Sequence, residues 1–398
     1  MTTVEQAAYI IQNQIRDYGT ETVPFDRSAG RVLAEDIYAD RDMPPFNRVT
    51  MDGIAISYSA FADGLRSFHV SGIQAAGDKP LHITDTSHCI EIMTGAVLPD
   101  TLDTVIRYED VLITGSDAEI IIDTVKQGQN IHAKGRDKRY GDVVVTSGQL
   151  ITPAIISVIA SVGKTQVLVK KQPRVVIIPS GDELVDVHET PAPYQIRKSN
   201  NHTINAVLQQ HGCAADMVHI ADDEAVTRTE ITRCLKSYDV ILLSGGVSMG
   251  KFDYIPQALQ QVGVAKLFYK VQQRPGKPFW FGVNDQGVLV FAFPGNPVAT
   301  FMCLHRYFLP WLNATVGLDK KNEMYAALSE DFYFEPDLQY FLQVKTTLTA
   351  DARLIASPLM GNGSGDFANL ADTDAFLELP ADRSEFEAGE VFRLWPFK

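Results

Sequence analysis

Three carboxylate positions and three basic side chains, each set just beyond a short apolar run, have the makings of a reaction site in this 398-residue chain. Glu183 follows Val175-Val176-Ile177-Ile178, and Asp222-Asp223 follow Met217-Val218-His219-Ile220. Asp253 comes after Val240-Ile241-Leu242-Leu243 and the turn Ser244-Gly245-Gly246-Val247-Ser248. Carboxylates gathered on one rim repel one another unless a cation or a proton sits among them. Oxygen ligands of this kind suit Mg²⁺, which normally also binds a substrate phosphate. Lys270, Arg274 and Lys277 bring the opposite charge and, beside such a rim, form a clamp for an oxyanion or phosphate. Singly, each has a plainer reading: the aspartates as helix N-caps, Gly181-Asp182-Glu183 as a turn, the basic trio as a solvated stretch. Both signs together describe a phosphoanhydride or oxyanion site.

The elements that must position these groups are strands of a parallel sheet. The run Val240 to Leu243 is continuously apolar and has helix-compatible sequence on either side, as a strand covered on both faces requires. From Arg174 to about residue 313, strand and helix patterns alternate, which predicts a doubly wound α/β domain. Ligands of such sheets sit beyond the carboxyl ends of the strands. Ser244, Gly245, Gly246 and Ser248 stand at one such end. At another, Pro294 precedes Asn296-Pro297, an N-cap residue followed by proline at the first helical position, with backbone N–H groups free for an anion.

The rest of the chain divides by texture. The length predicts roughly two to four domains. The boundaries read as an N-terminal helical and extended domain (1–45 plus 131–170), a β-rich insertion (46–130), the α/β domain (171–318) and a C-terminal β domain (319–398). The last has the alternation of a small barrel or sandwich. The first residues read as an amphipathic helix capped by Thr2 or Thr3 and ending at Gly19. A formal net charge of -14 and a pI near 5.1 argue against nucleic acid or an anionic membrane as partner. The longest apolar segment, around Pro153 to Val162, is too short to span a bilayer. Cys89, Cys213, Cys234 and Cys303 form no CxxC pair and read as reduced thiols of a cytoplasmic protein.

Six motifs in order carry a resemblance: Met51-Asp52-Gly53-Ile54-Ala55, Ile92-Met93-Thr94-Gly95-Ala96, Pro179-Ser180-Gly181-Asp182-Glu183-Leu184, SGGVSMGKFDY from Ser244, RPGKPF from Arg274 and FPGNPV from Phe293. The chain resembles the molybdopterin molybdenumtransferase family over nearly its whole length. The resemblance implies that the α/β domain is of the molybdopterin-binding type. It also implies that adenylylated molybdopterin and molybdate are the substrates, that a divalent cation, Mg²⁺, assists adenylate cleavage, and that AMP is released. A homodimer with its active site between subunits is expected. Further expected partners are molybdopterin adenylyltransferase and molybdoenzyme-maturation proteins.

Carried over by motif, the resemblance implies catalytic roles for Asp52, Thr94, Glu183, Asp222 and Asp253, with Glu183, Asp222 and Asp253 on the metal and Asp52 and Thr94 supplied by the partner subunit. It links Lys270, Arg274 and Ser364 to molybdate, and gives Pro294 and Pro297 to the turn that shapes the pocket. The chain also departs from the family pattern. Arg274 replaces a lysine, Ile54 a tyrosine and Val49 a serine; GQNIHAKGRDK, with His132 and Arg136, stands for a more acidic motif that keeps Asp137; Gln343 or a neighbour takes the place of an arginine. These departures motivate an alternative, a degenerate paralogue that binds pterin or serves as a scaffold without turnover. No cysteine or triad-like serine in the motifs offers a protein nucleophile.

Overall fold

The computed structural model of the protein describes residues 1–398 apart from 182, 221–223, 247–254, 319–322, 336 and 364. The chain forms two compact units, one of residues 1–34, 148–152 and 166–398, the other of 35–147 and 153–165. Among the described residues no helix is long and apolar enough to cross a membrane.

A six-stranded sheet organises the first unit. Its strands are β1 (Val175–Pro179), β2 (Ala215–Met217), β3 (Val240–Ser244), β4 (Val264–Tyr269), β5 (Trp280–Asn284) and β6 (Leu289–Phe293). The spatial order is β2-β1-β3-β6-β5-β4. β2, β1, β3 and β6 run parallel, while β5 is antiparallel to both its neighbours. The strand Val240–Ser244, which sequence marks as covered on both faces, is so, and β1 shares the arrangement. Val175, Ile177, Val240 and Leu242 bury toward helix α1 (Asn200–Gln210), whose Ile204, Val207 and Leu208 join the same core. Val176, Ile178, Ile241 and Leu243 bury on the opposite face with Ile231 of α2 (Glu224–Ser237) and Leu259 of α3 (Ile255–Gln261). Period-two alternation therefore splits one apolar run between two cores, and each fully buried aliphatic side chain contributes about 1.5–3 kcal/mol.

The N-terminal helix corrects one expectation. It spans Val4–Gln12 with Thr3 as N-cap in a capping box with Gln6, and ends seven residues before Gly19. Trp311 Nε1 donates to the Gln14 carbonyl at 3.2 Å, and Asp17 Oδ1 accepts the Gly19 N–H at 2.9 Å; these partners take the backbone beyond Gln12 out of the helix.

The C-terminal strands close into a barrel in the order Gln339–Leu348, Leu354–Pro358, Met324–Leu328, Val391–Pro396, Ala375–Leu379 and back to Gln339–Leu348. The two-residue strand Gln273–Arg274 adds to it, paired with Gln339–Tyr340. A buried ion pair also ties the barrel to the α/β layer. Arg306 Nε lies 3.3 Å from Glu378 Oε1, each side chain is 7% exposed, and Glu378 Oε2 accepts the Trp395 indole N–H at 2.6 Å.

The second unit is built on a sheet ordered Thr104–Arg107, Gly53–Ile56, His88–Ile92, Ser67–Gln74, Asp117–Ile120, Val111–Thr114. Ala55, Ile90 and Val105 pack on one face, Ile54, Ile56 and Ile106 on the other. Helix Pro153–Ser161 belongs to this unit. All four cysteines are buried and free.

Candidate active site

In the central sheet the chain leaves β1 toward β2 on one side and then crosses to β3 on the other. The carboxyl ends of β1 and β3 are thus a topological switch point, where open α/β sheets bind ligands. A cavity of about 1370 Å³ lies there. Its wall includes Glu183 after β1, Ser244, Gly245 and Gly246 after β3, and Pro294, Asn296 and Pro297 after β6.

Glycine is required where these turns meet. Gly245 and Gly246 have φ of 95° and 66°. A Cβ on Gly245 would stand 2.7 Å from the Ser180 carbonyl oxygen, and one on Gly246 would stand 2.4 Å from Ile255 Cδ1. Only a residue without a side chain permits both the left-handed backbone and that approach. The Ser180 N–H donates to the Ser244 carbonyl at 3.1 Å and the Gly245 N–H to the Phe293 carbonyl at 3.3 Å, so the three strand ends hold one another. Beyond β6, Asn296 has extended backbone, Pro297 takes the first turn of the helix Pro297–Cys303, and the Thr300 N–H returns to the Asn296 carbonyl at 2.9 Å.

Asn200, at the start of α1, is a site residue that sequence reasoning missed. Its Nδ2 lies 2.7 Å from the Gly295 carbonyl, 2.9 Å from Ser244 Oγ and 3.3 Å from Thr300 Oγ1, so one amide links the turns after β3 and β6. Topology could have found it, since every helix that follows a strand in a parallel sheet begins at the carboxyl edge. The segment from Leu184 to Lys198 was missed as well. It pairs Leu184–Val185 with Ile196–Arg197 and supplies Val187, Ile196, Arg197 and Lys198 to the wall. Lys198 Nζ sits 2.9 Å from Asp186 Oδ1, and this hydrogen-bonded cation holds the Asp186 carboxyl below the usual carboxylate range.

The Glu183 carboxylate is exposed on the cavity wall, folded over Gly181 so that a Cβ there would stand 2.5 Å from Oε2. Among the described residues that carboxylate has no hydrogen-bond or ion-pair partner. Asp222, Asp253, Ser248 and Ser364 lie outside the described residues.

The basic trio stands apart from this lining. Lys270 and Lys277 flank a loop in which the Lys270 N–H donates to the Phe279 carbonyl at 3.1 Å and the Val271 N–H to the Lys277 carbonyl at 3.0 Å. Lys270 has φ of 65°, a strained conformation for a residue with a side chain. Buried Gln273 anchors the loop: its Nε2 donates to the Gly276 carbonyl at 3.0 Å, and its Oε1 accepts from the Tyr307 hydroxyl. The Arg274 guanidinium lies 5.7 Å from the Phe334 ring centroid, and that ring stacks on Tyr340 at 4.1 Å.

In the second unit Asp52 and Thr94 meet directly. Asp52 Oδ1 accepts the Thr94 backbone N–H at 2.6 Å and its hydroxyl at 2.8 Å, which lowers the Asp52 pKa. Nearby in the same unit, His132 Nε2 lies 2.8 Å from Asp137 Oδ1, and His132 Nδ1 lies 3.5 Å from Arg48.

Comparison with known proteins agrees along the whole chain. Residues 2–163 match the MoeA N-terminal region (domain I and II), 176–314 a probable molybdopterin binding domain, and 325–397 the MoeA C-terminal region (domain IV). The molybdopterin molybdenumtransferase of Synechocystis sp. is 41% identical over 395 residues, spanning 98% of this chain and 99% of its own length. That of Staphylococcus epidermidis is 32% identical over 396 residues, with 98% and 94% covered. The molybdopterin biosynthesis MoeA protein from Pyrococcus horikoshii OT3 superposes with a TM-score of 0.81 at 25% identity over 100% of both chains.

Proposed function

Because the chain belongs to the molybdopterin molybdenumtransferase family, we propose that its cavity takes adenylylated molybdopterin, that the adenylate is cleaved with release of AMP, and that molybdenum from molybdate is left on the dithiolene. The observation that carries this reading is the large cavity at the switch point of the sheet, with Glu183, the Ser244 turn and the Asn296 turn on one wall.

The donor set fits Mg²⁺. Glu183 offers hard carboxylate oxygens with no competing partner among the described residues, and Asp222 and Asp253 would complete the ligands with oxygen alone. Held by Glu183, Asp222 and Asp253, such an ion would supply charge neutralisation for the leaving phosphate. The protein's own part is positioning. Backbone N–H groups after Gly245 and at the Pro297 helix cradle the phosphates. Lys270, Arg274, Lys277 and Ser364 hold molybdate as an anion. The Asn200 amide and the Gln273–Tyr307 pair keep these loops fixed, so little reorganisation is needed at the moment of reaction. No protein nucleophile takes part.

In this reading two copies assemble as a homodimer, each lending its Asp52–Thr94 pair to its partner, in the cytoplasm. AMP release from adenylylated molybdopterin tests it. Release that needs Mg²⁺, rises with molybdate and is lost in Asp253→Asn supports the reading. Retention of the nucleotide without release would replace it with a pterin-binding scaffold.

A further inference from the structure

Three large apolar side chains stand exposed on the wall of the cavity: Phe367 at 55%, Val187 at 56% and Ile196 at 58%. They come from two parts of the chain. Val187 and Ile196 belong to the segment in which Leu184–Val185 pairs with Ile196–Arg197, while Phe367 immediately precedes the short helical turn Ala368–Ala371. Single exposed apolar residues need no explanation, but several on one concave wall mark a binding surface.

The backbone around Phe367 is fixed although its side chain is open. On one side Asp366 Oδ2 accepts the Asn362 N–H at 2.9 Å and its side-chain amide at 3.1 Å. On the other, Asn369 Nδ2 donates to the Leu359 carbonyl at 2.8 Å and to Gln343 Oε1 at 3.3 Å, and the Leu370 N–H donates to the Phe367 carbonyl at 3.1 Å. A ring presented from such a turn costs little further ordering when a ligand covers it.

The chemistry of this wall selects its occupant. A phosphate gains nothing from side chains without donors and loses hydration against them. A planar nitrogen heterocycle lays its π face on an aromatic ring and keeps its polar edges free for water or hydrogen bonds. The Ser244-Gly245-Gly246 and Asn296-Pro297 turns line the same cavity, so a ligand with a heterocycle at one end and phosphate at the other finds both kinds of wall.

We propose that Phe367 is a specificity-determining residue that stacks on the nitrogen heterocycle of the substrate, with Val187 and Ile196 adding apolar wall and the phosphates directed to the Ser244-Gly245-Gly246 turn. The inference rests on the proposed reaction, whose substrate carries two such heterocycles, a pterin and an adenine, with this chemistry in common.

The test measures binding of three probes to the full-length protein: AMP, a 2-amino-4-oxopteridine, and ribose 5-phosphate as a phosphate without a base. Phe367→Ala weakens binding of one heterocyclic probe roughly five- to a hundredfold, the worth of one stacked base, and leaves ribose 5-phosphate unchanged. Which heterocyclic probe is affected tells whether adenine or pterin lies on the ring. Phe367→Trp keeps the affinity, and the emission of the new indole is quenched as the same probe binds, which a merely structural role would not produce. Equal weakening of all three probes, or no weakening of any, overturns the assignment. So does a Phe367→Ala variant whose sedimentation changes while heterocycle binding does not, because the ring then serves a contact between copies of the chain. A wild type that binds neither heterocycle removes the proposed reaction as well, whereas one that binds a heterocycle regardless of residue 367 removes only this assignment.

Discussion

Asp52 holds Thr94 twice through a single oxygen, with Oδ1 accepting both the backbone N–H at 2.6 Å and the hydroxyl at 2.8 Å. The two residues are 42 positions apart in sequence, and the motifs that carry them form one exposed corner of the second unit. Both bonds favour the ionised carboxylate, the backbone one most, so the Asp52 pKa is lowered. A lowered carboxyl pKa stabilises the fold above the unfolded-state value, and that contribution is lost as pH falls through the folded value. An NMR titration of the Asp52 carboxyl is expected to give a midpoint below the ordinary range, shifting partway back in Thr94→Val because only the hydroxyl is removed. An unshifted midpoint in the variant would mean that the hydroxyl contributes nothing.

Gly53, the next residue, has no room for a side chain. A Cβ would stand 1.9 Å from the Ile106 carbonyl oxygen and 2.7 Å from Arg107 Cα. Gly53→Ala must separate two paired strands and should cost about 1–3 kcal/mol or more. Thermal unfolding checks it, and a melting temperature equal to wild type would contradict the close approach.

The buried Arg306–Glu378 pair predicts unequal costs for removing one partner and removing both. Removing one partner leaves an uncompensated buried charge, so Glu378→Leu alone should cost about 3–5 kcal/mol. Replacing both residues by leucine should cost less than the single change. Urea unfolding of the two variants decides, through their midpoints.

The thiols are predicted to be inert. Burial pushes Cys89 and Cys213 up to about 12, and raises Cys234 and Cys303 as well. Thiolate is the reactive form, so at pH 8 an aromatic disulfide probe should label none of the four within minutes in the native protein and all four after denaturation. Rapid labelling of a native thiol would show an opening that this packing does not provide.

Much of the site was legible because strand patterns announce their own ends. Val240 to Leu243 reads as a doubly covered strand, and the residues just after it must then sit at the carboxyl edge. That reasoning located Glu183, Ser244, Gly245, Gly246 and Asn296, all of which stand on the cavity wall. Asn200 begins a helix at the same edge and topology places it there, but its bonds to Gly295 and Ser244, 95 and 44 positions away, are not written in local pattern. Nor could that reasoning separate Lys270 and Arg274 from the cavity lining, because charge in sequence carries no direction in space. Arg274 follows the barrel strand Gln339–Leu348 through backbone pairing, a long-range register that local pattern does not encode. The early end of the N-terminal helix has the same origin, a tertiary donor from Trp311 overriding local propensity.

The most direct measurement follows AMP released and molybdenum bound to pterin in the same reaction, for wild type and Glu183→Gln. One molybdenum gained per AMP released, with both lost together in the variant, is the predicted result. AMP released without molybdenum gained, or a Glu183→Gln variant as active as wild type, would contradict the assignment of the reaction to this cavity.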